Sequence, residues 1–165
     1  MISKFDISGK VTVITGGAGL LGSMHAEAIA ENGGIPVLFD SNYSKAVKKT
    51  KAIQVKYNVL CLPFKGDVTK EKDINNLIKF LNKKKLKVDV LINNAAVNPK
   101  LKIKDNNGAF DKFLLKNWNL ELNTGLTGAF LCSKIIGNKM LENKKGVIIN
   151  ISSDLGIISP DQRIY

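Results

Sequence analysis

The chain has 165 residues, of which 44% are hydrophobic and only 4 are proline, so it contains enough apolar sequence for one domain with a buried core. No apolar run approaches the roughly 18 residues that cross a bilayer. The first ten residues lack the basic-then-apolar order of a signal peptide. These features argue against a membrane span and a secretory leader, and they predict a cytoplasmic protein with no membrane partner.

The formal net charge is +11, from 25 Lys and Arg against 14 Asp and Glu, which raises the question of nucleic-acid binding. The lysines are spread over helical faces and one turn, residues 83–87, without the interleaved aromatic side chains that stack on bases. We therefore interpret them as a solvated surface and predict no nucleic-acid partner. The two cysteines, Cys61 and Cys132, have no metal-ligand spacing, so we predict reduced core residues and no metal site.

Short apolar runs alternate with longer amphipathic runs along the chain, which is typical of βαβ units. Because such crossovers are right-handed, we predict an α/β fold of Rossmann type, a doubly wound parallel sheet in the order 3-2-1-4-5. A ligand crevice is expected between strands one and four. In chain order the predicted elements are strand 11–15, helix 20–32, strand 35–39, helix 43–57, strand 59–64, helix 70–83, strand 88–92, a polar connection 98–112, helix 117–141 and strand 146–151.

Closely spaced glycines join the first strand directly to the first helix. Residues 17–22 fit the pattern GxGxxG, whose glycines allow a tight turn, a close approach to a pyrophosphate and the packing of helix on strand. The helix N-terminus then offers unpaired N–H groups and a positive dipole end to the phosphates. The alternative is a glycine-rich turn that binds no ligand. The predicted phosphate-binding residues are Gly16, Gly17, Gly19, Leu20, Leu21 and Gly22.

An acidic residue, Asp40, ends the second strand about 20 residues further on, where the dinucleotide-binding pattern requires it. A carboxylate there can accept hydrogen bonds from both hydroxyls of the adenosine ribose, and it repels a 2′-phosphate. We therefore predict NAD rather than NADP as the cofactor, although Lys45, Lys48 and Lys49 follow within reach of the same site. The alternative is that Asp40 only caps the next helix.

Four groups of residues at the ends of the predicted strands carry a resemblance to a known family. They are residues 15–22, 66–68, 93–96 and 150–153. In this order and spacing the chain resembles the amino-terminal part of a short-chain dehydrogenase/reductase. The resemblance implies a nicotinamide-dependent oxidoreductase that interconverts an alcohol and a ketone. It also implies a small-molecule alcohol or carbonyl substrate and a homo-oligomer when the protein is complete.

The resemblance also assigns roles to individual residues. Ser153 would hydrogen-bond the oxygen of the substrate, with Ser152 as the alternative, because neighbouring residues at a strand end face opposite sides. Each cofactor residue has a structural alternative: Asp67 as an ordinary turn residue, and Asn94, like Asn93, as a bridge between neighbouring backbones. By the resemblance, the cofactor contacts four residues after strands three and four, namely Asp67, Val68, Asn94 and Ala95.

Two positions depart from the family pattern. Leu20 occupies the middle glycine position of the TGxxxGxG loop, so the glycines resemble those of the branch that modifies sugar nucleotides. Gly125 occupies the position of the asparagine that helps to hold the active-site water and lysine. Asn123 lies two residues away, about 200° around a helix, and cannot simply replace it. At this position the chain therefore departs from the proton relay of the family.

Hydride transfer in the family needs a tyrosine as general acid/base and a lysine four residues later. Tyr165 lies 12 residues after Ser153 and is the candidate tyrosine, but the sequence has no residue 169. Alternatively, residues 160–165 form a loop and the YxxxK motif lies further on, which Pro160 favours. We therefore expect 1–165 to be an incomplete NAD(P)-binding Rossmann domain, truncated after strand five and inactive alone. The alternatives are a non-catalytic NAD(H)-binding module and an inactive fragment.

Overall fold

The computed structural model describes residues 6–97 and 113–153. No helix within these ranges is both long and apolar enough to cross a bilayer. A π-helical turn, Asn123–Thr127, joins the last two helices into one continuous rod. The elements are β1 (Val11–Thr15), α1 (Leu20–Glu31), β2 (Ile35–Asp40), α2 (Tyr43–Tyr57), β3 (Leu62–Lys65), α3 (Glu71–Lys83), β4 (Val88–Asn93), α4 (Leu115–Leu122), α5 (Gly128–Glu142) and β5 (Val147–Asn150).

All five strands are parallel and lie in the order β3-β2-β1-β4-β5, which confirms the predicted fold class and strand order. Successive residues of a strand face opposite sides of a sheet, so each central strand contributes side chains to two hydrophobic cores, one on each face. On one face Ile14 packs in a cluster with residues of α1 and α2. On the other face Val13 packs with residues of α3 and α5. Cys61 and Cys132 are buried in these two cores, one on each side.

Most predicted bounds agree with the structure to within two residues, but two elements differ by more than that or in kind. The strand predicted over 59–64 begins only at Leu62, because α2 ends with Asn58 in the left-handed conformation and the Gln54 side chain donates to the Cys61 carbonyl (3.0 Å). Residues 59–61 therefore form a loop between α2 and β3. The helix predicted over 117–141 is α4, the π-helical turn and α5 in succession. The predicted polar connection 98–112 and the segment 160–165 lie outside the described residues.

Candidate functional site

A cavity of about 680 Å³ opens at the carboxyl edge of the sheet, above the ends of β1, β2, β3 and β4. Leu120 and Thr124, from α4 and the π-helical turn, close one of its sides. The sequence did not predict this wall, because it depends on how a distant helix packs. Of the predicted cofactor residues, all except Gly17 line the cavity: Gly16, Gly19, Leu20, Leu21, Gly22, Asp40, Asp67, Val68, Asn94 and Ala95.

The glycine-rich segment 16–22, called the glycine loop below, lies so close to the neighbouring strands that it has no room for side chains at several of its glycines. Gly16 has a φ of +62°, and a Cβ there would lie 3.0 Å from the Cα of Ala95. A Cβ on Gly17 would lie 2.8 Å from the Cα of Leu38, so Gly17 packs directly on β2, and it does not line the cavity. A Cβ on Gly22 would overlap the carbonyl oxygen of Gly16. The predicted need for glycine therefore has a steric basis at each of these positions.

Helix α1 begins beside this loop with its N-terminal amides uncapped by side chains. Gly19 is the N-cap residue and supplies no side-chain hydrogen bond, and the first turn contains no acidic residue. The free backbone N–H groups and the positive end of the helix dipole therefore lie in the cavity wall with no acidic side chain on the first turn itself, while the Asp40 carboxylate binds the preceding Ala18 N–H. This arrangement suits an anionic group such as a pyrophosphate.

The carboxylate of Asp40 is held by two backbone amides at the end of β2. Its Oδ2 accepts from the Ala18 N–H (2.9 Å), and its Oδ1 accepts from the Asn42 N–H (2.8 Å). The N-cap of α2 is Asn42, whose side chain accepts from the Lys45 N–H (3.1 Å). The alternative role of Asp40 as the helix cap is therefore not observed. Each carboxylate oxygen can accept two hydrogen bonds, so both can also accept a ligand hydroxyl.

The turn between β3 and α3 forms the opposite wall of the cavity. The Asp67 carboxylate accepts from the N–H (2.9 Å) and the hydroxyl (2.7 Å) of Thr69, and Lys70 lies 3.5 Å away. Burial by itself would raise the pKa of Asp67, but the Thr69 hydrogen bonds and the Lys70 charge outweigh it and lower the pKa. Asp67 therefore has the contacts of a turn residue and also lines the cavity. Val68 packs on Gly128, where a Cβ would lie 2.6 Å from its Cγ2.

Strand β4 is joined to β1 beneath the cavity by a threonine that the sequence analysis did not single out. The Oγ1 of Thr15 accepts from the N–H groups of Asn94 and Ala95, each at 3.0 Å. The Asn94 side chain donates in return to the Thr15 carbonyl (3.0 Å). Asn94 thus bridges two backbones, as its structural alternative predicts, while it also lines the cavity.

Of the two candidate catalytic residues, Ser153 and Tyr165, the described ranges contain only Ser153. Asn93 donates to Asn150 (2.8 Å) and to Ser133 (3.0 Å), which fixes the end of β5 beside β4. Ser153 follows β5 at the same sheet edge, outside the set that lines the cavity, and Tyr165 lies outside the described residues. Within the described ranges no group of three or more His, Cys, Asp or Glu side chains could hold a metal ion.

Comparison with known proteins identifies one family and several relatives of similar sequence. The family model described as short chain dehydrogenase matches residues 10–165. A NAD-dependent glycerol dehydrogenase of Listeria innocua is 31% identical over 97% of this chain and 59% of its own length. A NADP-dependent mannitol dehydrogenase of Alternaria alternata is 32% identical over 94% of this chain and 57% of its own length.

A solved structure shows the same arrangement. NAD+-bound xylitol dehydrogenase superposes with a TM-score of 0.80 at 27% identity, covering 96% of this chain and 57% of that protein. This chain therefore spans less than two thirds of the length of these relatives.

Proposed function

Because the chain belongs to the short-chain dehydrogenase family, we propose that it binds NAD(H) as part of an oxidoreductase that interconverts an alcohol and a ketone. The bound nicotinamide would supply or accept the hydride. The observation that supports NAD is the carboxylate of Asp40 in the cavity wall, fixed by the amides of Ala18 and Asn42. The relatives include both NAD- and NADP-dependent enzymes, so this local feature carries the choice.

In this proposal different residues bind different parts of the cofactor. The glycine loop and the uncapped N-terminus of α1 hold the pyrophosphate. Asp40 accepts hydrogen bonds from the ribose hydroxyls, Asp67 and Val68 border the adenine, and Asn94 supports the loop from below. Ser153 orients the oxygen of a small alcohol or carbonyl substrate. Tyr165 remains the candidate proton donor, with a tyrosine beyond position 165 as the alternative.

Cofactor choice is tested by Asp40→Asn. The wild-type chain should bind NADH more tightly than NADPH, and the substitution should reduce the ratio of the two affinities by about tenfold. The neutral amide weakens the charge-assisted bonds to ribose and removes the repulsion of a 2′-phosphate. Binding is measured by NADH and NADPH fluorescence titration.

Asp67→Asn is the matched control for this experiment, because it removes the same charge from the opposite wall of the cavity. Its ratio of NADH to NADPH affinity should stay at the wild-type value. Equal affinities for the two cofactors in the wild-type chain would contradict the proposed role of Asp40.

The second test concerns turnover. We expect the 165-residue chain to bind NADH without measurable dehydrogenase activity, because Ser153 can position a substrate oxygen but cannot move its proton. Residues 1–165 do not include a lysine four residues after Tyr165 that would lower the pKa of a catalytic tyrosine. Activity is measured as NAD-linked oxidation of glycerol, mannitol and xylitol. Robust oxidation of any of them would contradict this expectation and would assign the acid/base role to Tyr165.

A further inference from the structure

Asp73, the third residue of α3, reaches back over the turn that forms the adenine end of the cavity. Its Oδ2 accepts a hydrogen bond from the Asp67 N–H at 2.9 Å. We infer that Asp73 is a positioning residue for the adenine-binding turn, residues 66–70. The inference rests on the proposed binding of NAD(H), and it assigns a role to a residue that does not line the cavity itself.

The turn is fixed from two sides. On the sheet side the Gly66 N–H donates to the Asp40 carbonyl (3.2 Å), and a Cβ on Gly66 would overlap the ring of Phe39. On the helix side the Asp73 side chain packs over Gly66, since that Cβ would also lie 3.1 Å from the Cβ of Asp73. Its carboxylate then accepts from Asp67. The position of the Asp67 backbone relative to α3 is therefore fixed by Asp73.

The consequence of this contact reaches the cavity through the next two side chains. Asp67 and Val68 both line the cavity, and Val68 packs against Gly128. Without the Asp73 carboxylate, the part-buried N–H of Asp67 would lack an acceptor. The backbone would then shift so that this N–H meets another acceptor, and the side chains of Asp67 and Val68 would move with it. The glycine loop is secured separately, by Asp40 on Ala18 and by Asn94 on Thr15. The effect should therefore be confined to the adenine end.

The test uses two fluorescent ligands that share the nicotinamide half. Asp73→Ala should raise the Kd for NADH about three- to tenfold, the loss expected for one hydrogen bond, and should leave the Kd for reduced nicotinamide mononucleotide unchanged. Asp73→Asn keeps an oxygen acceptor, so its NADH affinity should stay within about twofold of wild type.

Glu71→Ala is the matched control. It removes an equal charge from the same first turn of α3, and its partner Lys134 (3.3 Å) lies on α5, away from the Asp67 amide. Both ligands should bind it as they bind the wild-type chain. Should Asp73→Ala fail to fold by circular dichroism, Asp73→Ser takes its place, because its hydroxyl is too short to reach the amide. The same loss of NADH affinity is then expected.

Two results would overturn the inference while the proposed function stands. One is an NADH affinity of Asp73→Ala equal to that of Glu71→Ala. The other is an Asp73→Ala variant whose affinities for NADH and for reduced nicotinamide mononucleotide fall by the same factor. A wild-type chain that binds neither ligand would overturn the proposed function first, and the inference with it.

Discussion

At the residue scale, glycine serves opposite purposes at two positions of the same chain. A Cβ on Gly22 would overlap the Gly16 carbonyl oxygen and lie 2.8 Å from the Cα of Gly17, so only glycine allows α1 to pack on the loop. A Cβ on Gly125 would meet nothing within 4 Å. Gly125 lies in the π-helical turn, where glycine lowers helix stability and gains no close contact in exchange.

The two glycines therefore predict opposite outcomes for the same substitution. Gly22→Ala should lower the free energy of unfolding by about 1–3 kcal/mol and abolish NADH binding, because the glycine loop must move to make room for the methyl group. Gly125→Ala should raise it by about 0.5–1 kcal/mol and leave NADH binding unchanged. Urea unfolding and NADH titration measure both effects. Wild-type binding by Gly22→Ala would show that the loop is softer than its close contacts indicate.

Three aspartates at the site accept from backbone amides, and this limits what the sequence alone could predict about them. Asp40 was predicted from its position after the second strand, but its bond to Ala18 depends on the path of the glycine loop. Asp67 was predicted with a turn role as the alternative, and its contacts with Thr69 fit that role. Asp73 was not predicted, because a helix-opening acid is ordinarily interpreted as a dipole or capping residue.

At the element scale, the helices that could be predicted are those whose signal is local. The pattern Ile74, Leu77, Ile78 and Leu81 places four apolar side chains on one face of α3, and all four are buried. The bounds predicted for α2, 43–57, are those observed. In both helices the periodicity of the sequence carries the structural information, so no knowledge of distant residues is required.

The elements that could not be predicted depend on distant contacts. The apolar run 59–64 is typical of a strand along its whole length. The left-handed Asn58 and the hydrogen bond from Gln54 to Cys61 together make its first half a loop and leave only its second half as a strand. The π-helical turn has no local signal, because an extra residue in a helical turn leaves the apolar pattern almost unchanged. Its neighbour Gly128 packs against Val68, so the position of this helix depends on the turn between β3 and α3.

At the scale of the whole molecule, the described structure leaves apolar surface along one side. Strand β5 presents side chains to both faces of the sheet, and Val147 (55%), Ile148 (39%) and Ile149 (42%) are all exposed. Phe130 on α5 is 61% exposed. Side chains of a parallel strand are normally covered on both faces, so this side is suited to contact with further protein. The net charge of +11 opposes contact between identical copies.

We therefore predict that the 165-residue chain self-associates or binds a hydrophobic dye, and more strongly as salt screens the repulsion between copies. The double substitution Val147→Thr and Ile149→Thr keeps β-branched residues in β5 while it lowers the apolar area, so it should reduce both signals. Val55→Thr on α2 is the matched control, because Val55 is 87% exposed on a helix that packs on β3, the strand at the opposite sheet edge. Light scattering and dye fluorescence at low and moderate salt measure the effect. A dye-negative monomer at every salt concentration would show that the apolar side is covered within a single copy.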